Sequence, residues 1–399
     1  MAPQISSRLT AYPASPMRKL VPFAVEAKKK GVKVYHLNIG DPDIKTPDEM
    51  LRVLTKWNTN PIGYDQSQGN PAFLTALSSY YQGLGFTFVT PEKIQVSTGG
   101  SEAISMALFA VANPGDEVIV FEPFYANYNS YAVSNGVTLV PITTSIENGF
   151  HLPDRKMIEE KITGKTKAIL ICNPNNPTGT VYTKEEMDML VALAVEKDLY
   201  ILSDEVYREY AYDGRKQISV LSYMEKYPDQ MVVLDSLSKR YSLCGARLGC
   251  IVSLNSDLLA GCLRIGQARL SSGYVDQQIG AALTDVPQSY IEDVQKEYVK
   301  RRDALYEGLK SIPGVTVPKP EGAFYVIAKL PVDDAEDFAK YLLTDFQDKG
   351  ETVMVAPAAG FYSTPGKGKN EIRIAYILNV TDLTRCLELL KLALTAYKK

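Results

Sequence analysis

The chain has 399 residues, 45% of them hydrophobic and 22% charged, with a formal net charge of −3. That length is too great for one simple core and points to two lobes, while the mild acidity makes no electrostatic case for nucleic acid or an anionic membrane. Five scattered cysteines with no CxxC pair argue against a disulfide framework or a zinc site and suit a reducing cytosol.

The first stretch, "MAPQISSRLTAYPASPMRKL", lacks the continuous apolar core of a signal peptide. No run of about 18 apolar residues is present to span a bilayer, so a cytoplasmic protein is expected. "LVPFAVEAKKKG" predicts an amphipathic helix that ends in lysines and is capped by Gly31. A buried strand, "VKVYHLNIG", follows. From about Pro47 to Ala282, apolar strands alternate with helical patterns. "EVIVFEP", "KAILICNP", "YILSDEVY", "MVVLDSLSK" and "RLGCIVS" read as strands, and "SEAISMALFAVAN", starting near Glu102, and "KEEMDMLVALAVEKD" as helices. The alternation predicts an α/β fold with a mainly parallel sheet covered on both faces. After Pro287 a long charged helix, "SYIEDVQKEYVKRRDALYEGLKSI", leads to "GAFYVIAKL", another helix and "NEIRIAYIL". These form a smaller α+β lobe, to which the N-terminal segment is expected to return. The expected division is a large domain over 47–286 and a small one built from 1–46 and 287–399.

Ligands of open α/β sheets sit outside the carboxyl ends of the strands. The unusual residues gather at those ends: Pro123 to Tyr125, "NPNNPTG", "SDEVY" and "SLSK". With only two histidines, His36 and His151, lysine, tyrosine or carboxylate is left to move protons.

Lys239, in "LDSLSKRYSLCGARLG", is either a solvated surface lysine or a reactive amine. A lysine screened from water acts as a neutral nucleophile and forms a Schiff base with an aldehyde. Ser236, Ser238 and Arg247 offer donors suited to a phosphate. The glycines of "STGGSEA" either let backbone N–H groups approach an anion at a helix N-terminus or make a plain turn. An aldehyde that carries a phosphate and needs a lysine suggests pyridoxal phosphate, whose ring nitrogen needs a buried carboxylate partner. Asp204 fits that need, or else caps a helix. Tyr207 and Asn176 can hydrogen-bond the ring's phenolate oxygen, and Tyr125 can stack on the ring or pack in the core.

The ordered set "NPNNPTG", "SDEVY", "SLSKRYSLCGARLG" and "EIRIAY", with "LNIGDPD", "STGGSEA" and "PEGAFY", resembles the class I and II pyridoxal-phosphate aminotransferases of fold type I, in particular their bacterial aspartate aminotransferase-like members. The resemblance covers nearly the whole chain. It implies Lys239 as the Schiff-base lysine and proton shuttle, and Asp204 as the partner of the pyridinium. Tyr207 and Asn176 would hold the phenolate oxygen, Tyr125 the ring face, and Gly100, Ser101, Ser236, Ser238 and Arg247 the phosphate region. It further implies Arg373 as the grip on the substrate α-carboxylate and Gly40 as a backbone wall of the substrate pocket. Tyr64 would reach the phosphate in the neighbouring subunit, which makes a homodimer the expected partner arrangement.

The implied reaction is ping-pong transfer of an amino group from an L-amino acid to a 2-oxo acid. One bacterial branch has a lysine after the two glycines of "GG" to help bind a distal carboxylate; here Ser101 stands there, and Arg18 and Arg269 are the possible replacements, or exposed arginines. Aspartate with 2-oxoglutarate is the expected pair, with an alanine or aromatic aminotransferase as the alternative. A carbon–sulfur lyase or an aminocyclopropane-type synthase would use the same cofactor residues. A ligand-sensing regulator is disfavoured, because family-like sequence starts almost at once and the charge is mildly acidic.

Overall fold

The computed structural model describes residues 3–15 and 18–397. A helix over Val21–Lys29 leads through Gly31, whose φ of +84° a glycine adopts without steric cost, into strand β1 (Lys33–His36). Seven further strands follow: β2 (Ile94–Thr98), β3 (Glu117–Glu122), β4 (Thr138–Thr143), β5 (Thr166–Cys172), β6 (Tyr200–Asp204), β7 (Met231–Ser236) and β8 (Leu248–Val252). They form one sheet in the order β2-β8-β7-β6-β5-β3-β4. From β4 through β7 all neighbours pair in parallel, while β8 runs antiparallel to both β7 and β2.

The α/β expectation holds, with two additions. The sequence reading omits β2 and β4, which are the two edge strands. β4, "TLVPIT", carries Pro141, which an edge tolerates because a missing backbone donor there breaks no central ladder. The helix after β2 also begins at Gly99 rather than near Glu102. Helices cover both faces of the sheet. Ile169, Ile201 and Val233 point to one core, and Val118, Leu202 and Leu234 to the other, as the period of two in a strand requires. The helix Lys184–Glu196 starts with a reciprocal capping box between Thr183 and Glu186.

The remaining strands are β9 (Tyr325–Lys329), β10 (Glu351–Met354), β11 (Ala356–Pro357) and β12 (Glu371–Ala375). β11, β12 and β9 form an antiparallel sheet, and β1 pairs in parallel with β10. A third core joins Leu20 and Leu37 from the N-terminal segment to Tyr298, Phe324 and Leu389. Among the described residues, no helix is long and apolar enough to cross a membrane, and no cluster of side chains has the makeup of a metal site.

Candidate active site

In the sheet order, β7, β6, β5 and β3 are consecutive neighbours, so their carboxyl ends converge on one place. A cavity of about 250 Å³ opens there. It gathers twelve of the fifteen candidate site residues singled out in the sequence: Gly40, Gly100, Ser101, Tyr125, Asn176, Asp204, Tyr207, Ser236, Ser238, Lys239, Arg247 and Arg373.

Lys239 follows β7 on a four-residue helical turn, Leu237–Arg240. It is partly buried, and its Nζ donates to the Gly40 carbonyl at 2.8 Å and lies 3.5 Å from Cys244 Sγ. Asp204 is the last residue of β6 and does not cap a helix. Its Oδ2 accepts from the Tyr128 hydroxyl at 2.7 Å, while Oδ1 is buried with no hydrogen-bond partner. Burial drives the Asp204 carboxyl up to about 6, against the pull of the Tyr128 hydroxyl. A buried carboxylate oxygen left open costs on the order of 1–3 kcal/mol or more, so it marks a place where a donor belongs.

A chain of polar contacts crosses the cavity floor. Arg373 Nη1 donates to Asn176 Oδ1 at 3.3 Å, Asn176 Nδ2 to the Tyr207 hydroxyl at 3.4 Å, and the Tyr207 and Tyr325 hydroxyls are 3.1 Å apart. Arg373 Nη2 also donates to the Asn38 carbonyl at 2.5 Å, and its guanidinium lies over the rings of Tyr325 and Phe361. Burial is the main influence pulling the Arg373 pKa down, but a guanidinium keeps its charge at any working pH. Burial pushes the Tyr207 phenol well up, so its hydroxyl remains a donor.

Close approach fixes two glycines. A Cβ at Gly40 would lie 1.7 Å from the Tyr325 hydroxyl oxygen. At Gly99, φ is +74° and a Cβ would lie 2.7 Å from Arg247 Nη2, so glycine alone lets that guanidinium rest against the start of the helix Gly99–Val111. Arg247 Nη1 donates to the Cys244 carbonyl at 3.0 Å. Ser236 Oγ is 2.8 Å from the Leu248 carbonyl and 2.9 Å from Ser238 Oγ, so its single hydrogen is engaged by the protein.

Three candidate residues lie elsewhere. Tyr64 is 84% exposed, and Arg18 lines an adjoining cavity that shares Ile39 and Tyr125 with the first. Arg269 is neither exposed nor at the cavity: it pairs with Glu102 at 3.1 Å and donates to the Val96 carbonyl at 3.2 Å, holding a helix to the edge strand. Sequence reasoning missed Tyr325, Cys172 and Cys244 as cavity walls. Tyr325 stands in the quoted "PEGAFY" motif, whose signal was available; nothing in the sequence marks the two thiols.

Outside the cavity lining, His151 bridges Glu186 at 2.9 Å and Glu321 at 3.3 Å, and Arg215 also reaches Glu321 at 2.6 Å. Hydrogen bonds donated to Glu186, and next to Glu321, raise His151 from 6.5 to about 9 against the opposing effect of burial. A raised folded-state value stabilises fully below about 6.5 and is lost as pH rises through about 9. The difference in Tm between the wild type and His151→Asn should therefore be large at pH 6 and shrink toward pH 10, as thermal melts would show.

The sequence profile of the aminotransferase class I and II family matches residues 32–390. The chain belongs to that family. This aminotransferase is 32% identical to the aspartate aminotransferase of Thermotoga maritima over 394 residues, covering 96% of this chain and 97% of the relative. It is 30% identical to the aspartate/prephenate aminotransferase of Thermus thermophilus over 391 residues, with 96% and 97% covered. Among solved structures, the alanine aminotransferase of Pyrococcus furiosus superposes with a TM-score of 0.89 at 28% identity, over 99% of this chain and 100% of the other. The Thermus thermophilus aspartate aminotransferase with maleate gives 0.87 at 28% identity, over 98% and 100%. The fold of this aminotransferase is thus fold type I.

Proposed function

We propose that this aminotransferase uses pyridoxal 5′-phosphate to move the amino group of an L-amino acid to a 2-oxo acid, with L-aspartate and 2-oxoglutarate as the pair. One observation carries the reading: a single cavity holds the Lys239 amine, the open Oδ1 of Asp204 and the Arg373 guanidinium. The residues fit the cofactor. Asp204 Oδ1 supplies the acceptor that a protonated ring nitrogen needs, and the Gly99–Val111 helix start beside Arg247 supplies an anion cradle. Tyr207 and Asn176 would donate to the phenolate oxygen, Tyr125 would face the ring, and Ser101 and Ser238 would complete the phosphate cradle. The engaged hydroxyl of Ser236 leaves it to shape that cradle rather than to donate freely. When bound, the cofactor supplies an electron sink for the bonds at the amino acid's Cα.

The chain's own part is positioning and proton movement. Arg373 would grip the α-carboxylate as a bidentate pair and so fix the Cα, with the Gly40 backbone as the opposite wall. Lys239 Nζ would take the Cα proton and return it, a role that needs no histidine. Asp204→Ala should weaken cofactor retention by roughly 10-fold or more and slow the half-reaction further, because a neutral partner cannot hold the ring nitrogen protonated. Dialysis followed by absorbance would measure the first effect, and single-turnover kinetics the second.

Tyr64, exposed in the single chain, would reach the site of a second copy, which supports a homodimer as the active unit. The division into 47–286 against 1–46 with 287–399 is supported by the pairing of β1 with β10.

The aspartate assignment is supported by the names of the relatives. An alanine reading is favoured by the cations of the main cavity, which are Lys239, Arg247 and Arg373 with none spare for a distal carboxylate. Arg18, in the adjoining cavity, would be that cation for aspartate. Arg18→Met should raise KM for aspartate about 10-fold and leave alanine unchanged, since one charge-assisted bond is worth roughly 1.5–3 kcal/mol. Half-reaction rates with both amino acids decide between the pairs.

A further inference from the structure

The residue after Lys239 faces the other way. Arg240 is 1% exposed, and its guanidinium donates from Nη2 to both oxygens of Asp235, at 3.1 and 2.8 Å, and from Nε to Glu209 Oε1 at 2.6 Å. The guanidinium also lies 4.1 Å from the centroid of the Tyr80 ring, and the Tyr80 hydroxyl donates to Glu209. On the far side of Asp235, Arg208 donates to Oδ2 at 3.1 Å and pairs with Glu205 at 2.8 Å. Asp235 also accepts from the Tyr81 hydroxyl at 2.8 Å and the Ser236 amide at 2.7 Å. Burial works to raise the Asp235 carboxyl, but the Arg240 and Arg208 guanidiniums outweigh it and hold the group at about 2.

These charges belong to two chain segments that also form the candidate site. From the end of β6 onward, Asp204 and Tyr207 face the cavity, while Glu205, Arg208 and Glu209 face the buried charges. At the end of β7 and just after it, Ser236, Ser238 and Lys239 face the cavity, while Asp235 and Arg240 face the buried charges. A further tie runs from the Tyr210 hydroxyl to the Lys239 carbonyl at 2.7 Å. A buried set of ion pairs is a poor source of net stability, since desolvation offsets most of the attraction. It does impose geometry, because each guanidinium must meet carboxylates in a fixed fork.

We propose that the Asp235–Arg240–Glu209 ion lattice, extended through Arg208 and Glu205, is a positioning device that fixes the backbone of Lys239 relative to Asp204 and Tyr207. It acts through Lys239 and touches neither substrate nor cofactor. The inference rests on Lys239 being the reacting amine. Arg240→Met and Arg240→Lys are the test, each as cofactor-loaded protein. Lysine keeps the charge but cannot fork between Asp235 and Glu209.

Both variants should show single-turnover rates with aspartate or alanine reduced by roughly 10–100-fold, the scale expected of a displaced reacting group. The amino-acid concentration giving half the maximal rate should change less than about threefold, because Arg373 is untouched. The pH midpoint of the visible absorbance band, which reads the surroundings of the Lys239 nitrogen, should move in both. Arg240→Lys with the wild-type rate and the wild-type midpoint would overturn the proposal, and it decides the matter if Arg240→Met does not fold. The failure of the underlying reading looks different: wild-type protein would then develop no visible band, or Lys239→Ala would keep one.

Discussion

Lys239→Ala is expected to abolish the visible absorbance band of the cofactor-loaded protein and to reduce turnover by roughly 10⁴-fold, the upper end of what a positioned proton-transfer group contributes. The argument is geometric. Nζ is held at 2.8 Å from the Gly40 carbonyl and 3.5 Å from Cys244 Sγ, inside the cavity that also holds Asp204 and Arg373. Among the residues that line it, the other cations are Arg247 and Arg373, and guanidiniums do not deprotonate to serve as bases. The variant should fold, since its β7 turn is braced by Arg240 and by backbone bonds that alanine keeps. Absorbance spectra and a stopped-flow half-reaction measure both effects. Unchanged turnover would remove Lys239 from the chemistry and with it the proposed mechanism.

Arg373→Ala carries the second largest effect. Removal of one partner from a desolvated charge pair costs about 2–5 kcal/mol, so kcat/KM should fall on the order of 10²-fold or more for every amino acid tested. Uniformity is the discriminating feature, because the α-carboxylate is common to all amino acids. A loss confined to aspartate and glutamate would instead place Arg373 against a distal carboxylate. Arg373→Lys should recover little: Arg373 sits 2% exposed between the rings of Tyr325 and Phe361, and an ammonium offers neither the planar stack nor the fork. Steady-state kinetics across alanine, aspartate and an aromatic amino acid test both statements.

The central strands were legible because each is short, apolar and buried on both sides, as β5, "TKAILIC", illustrates. β4 was not, because an edge strand with a proline and half-exposed positions lacks that pattern. The start of the helix at Gly99 was hidden for a different reason. Its first residues are glycines of low helix propensity, held in place by their contact with Arg247 and not by local preference. At the site, chemically distinctive residues near strand ends pointed to Lys239, Asp204, Tyr207 and Asn176, and the family resemblance of the motifs added Gly40, Gly100, Ser101 and Arg373. Tyr325 was missed although it stands in the quoted "PEGAFY" motif; its contacts with Tyr207 and Gly40 come from distant parts of the chain.

By itself the sequence determined the α/β class and the family, together with the identities of the lysine, the carboxylate and the arginine on which the proposed reaction depends. The class follows from local periodicity, and the family and the three identities from the resemblance carried by short motifs such as "SLSKRYSLCGARLG", "SDEVY" and "EIRIAY". Only the tertiary structure decided which elements stand side by side, as when β8 runs antiparallel between β2 and β7. It also decided that Asp204 keeps one oxygen open, that Arg269 is tied to Glu102 and that Arg240 turns inward beneath Lys239. Those facts depend on burial and on partners far away in the chain, and no local pattern of residues records either.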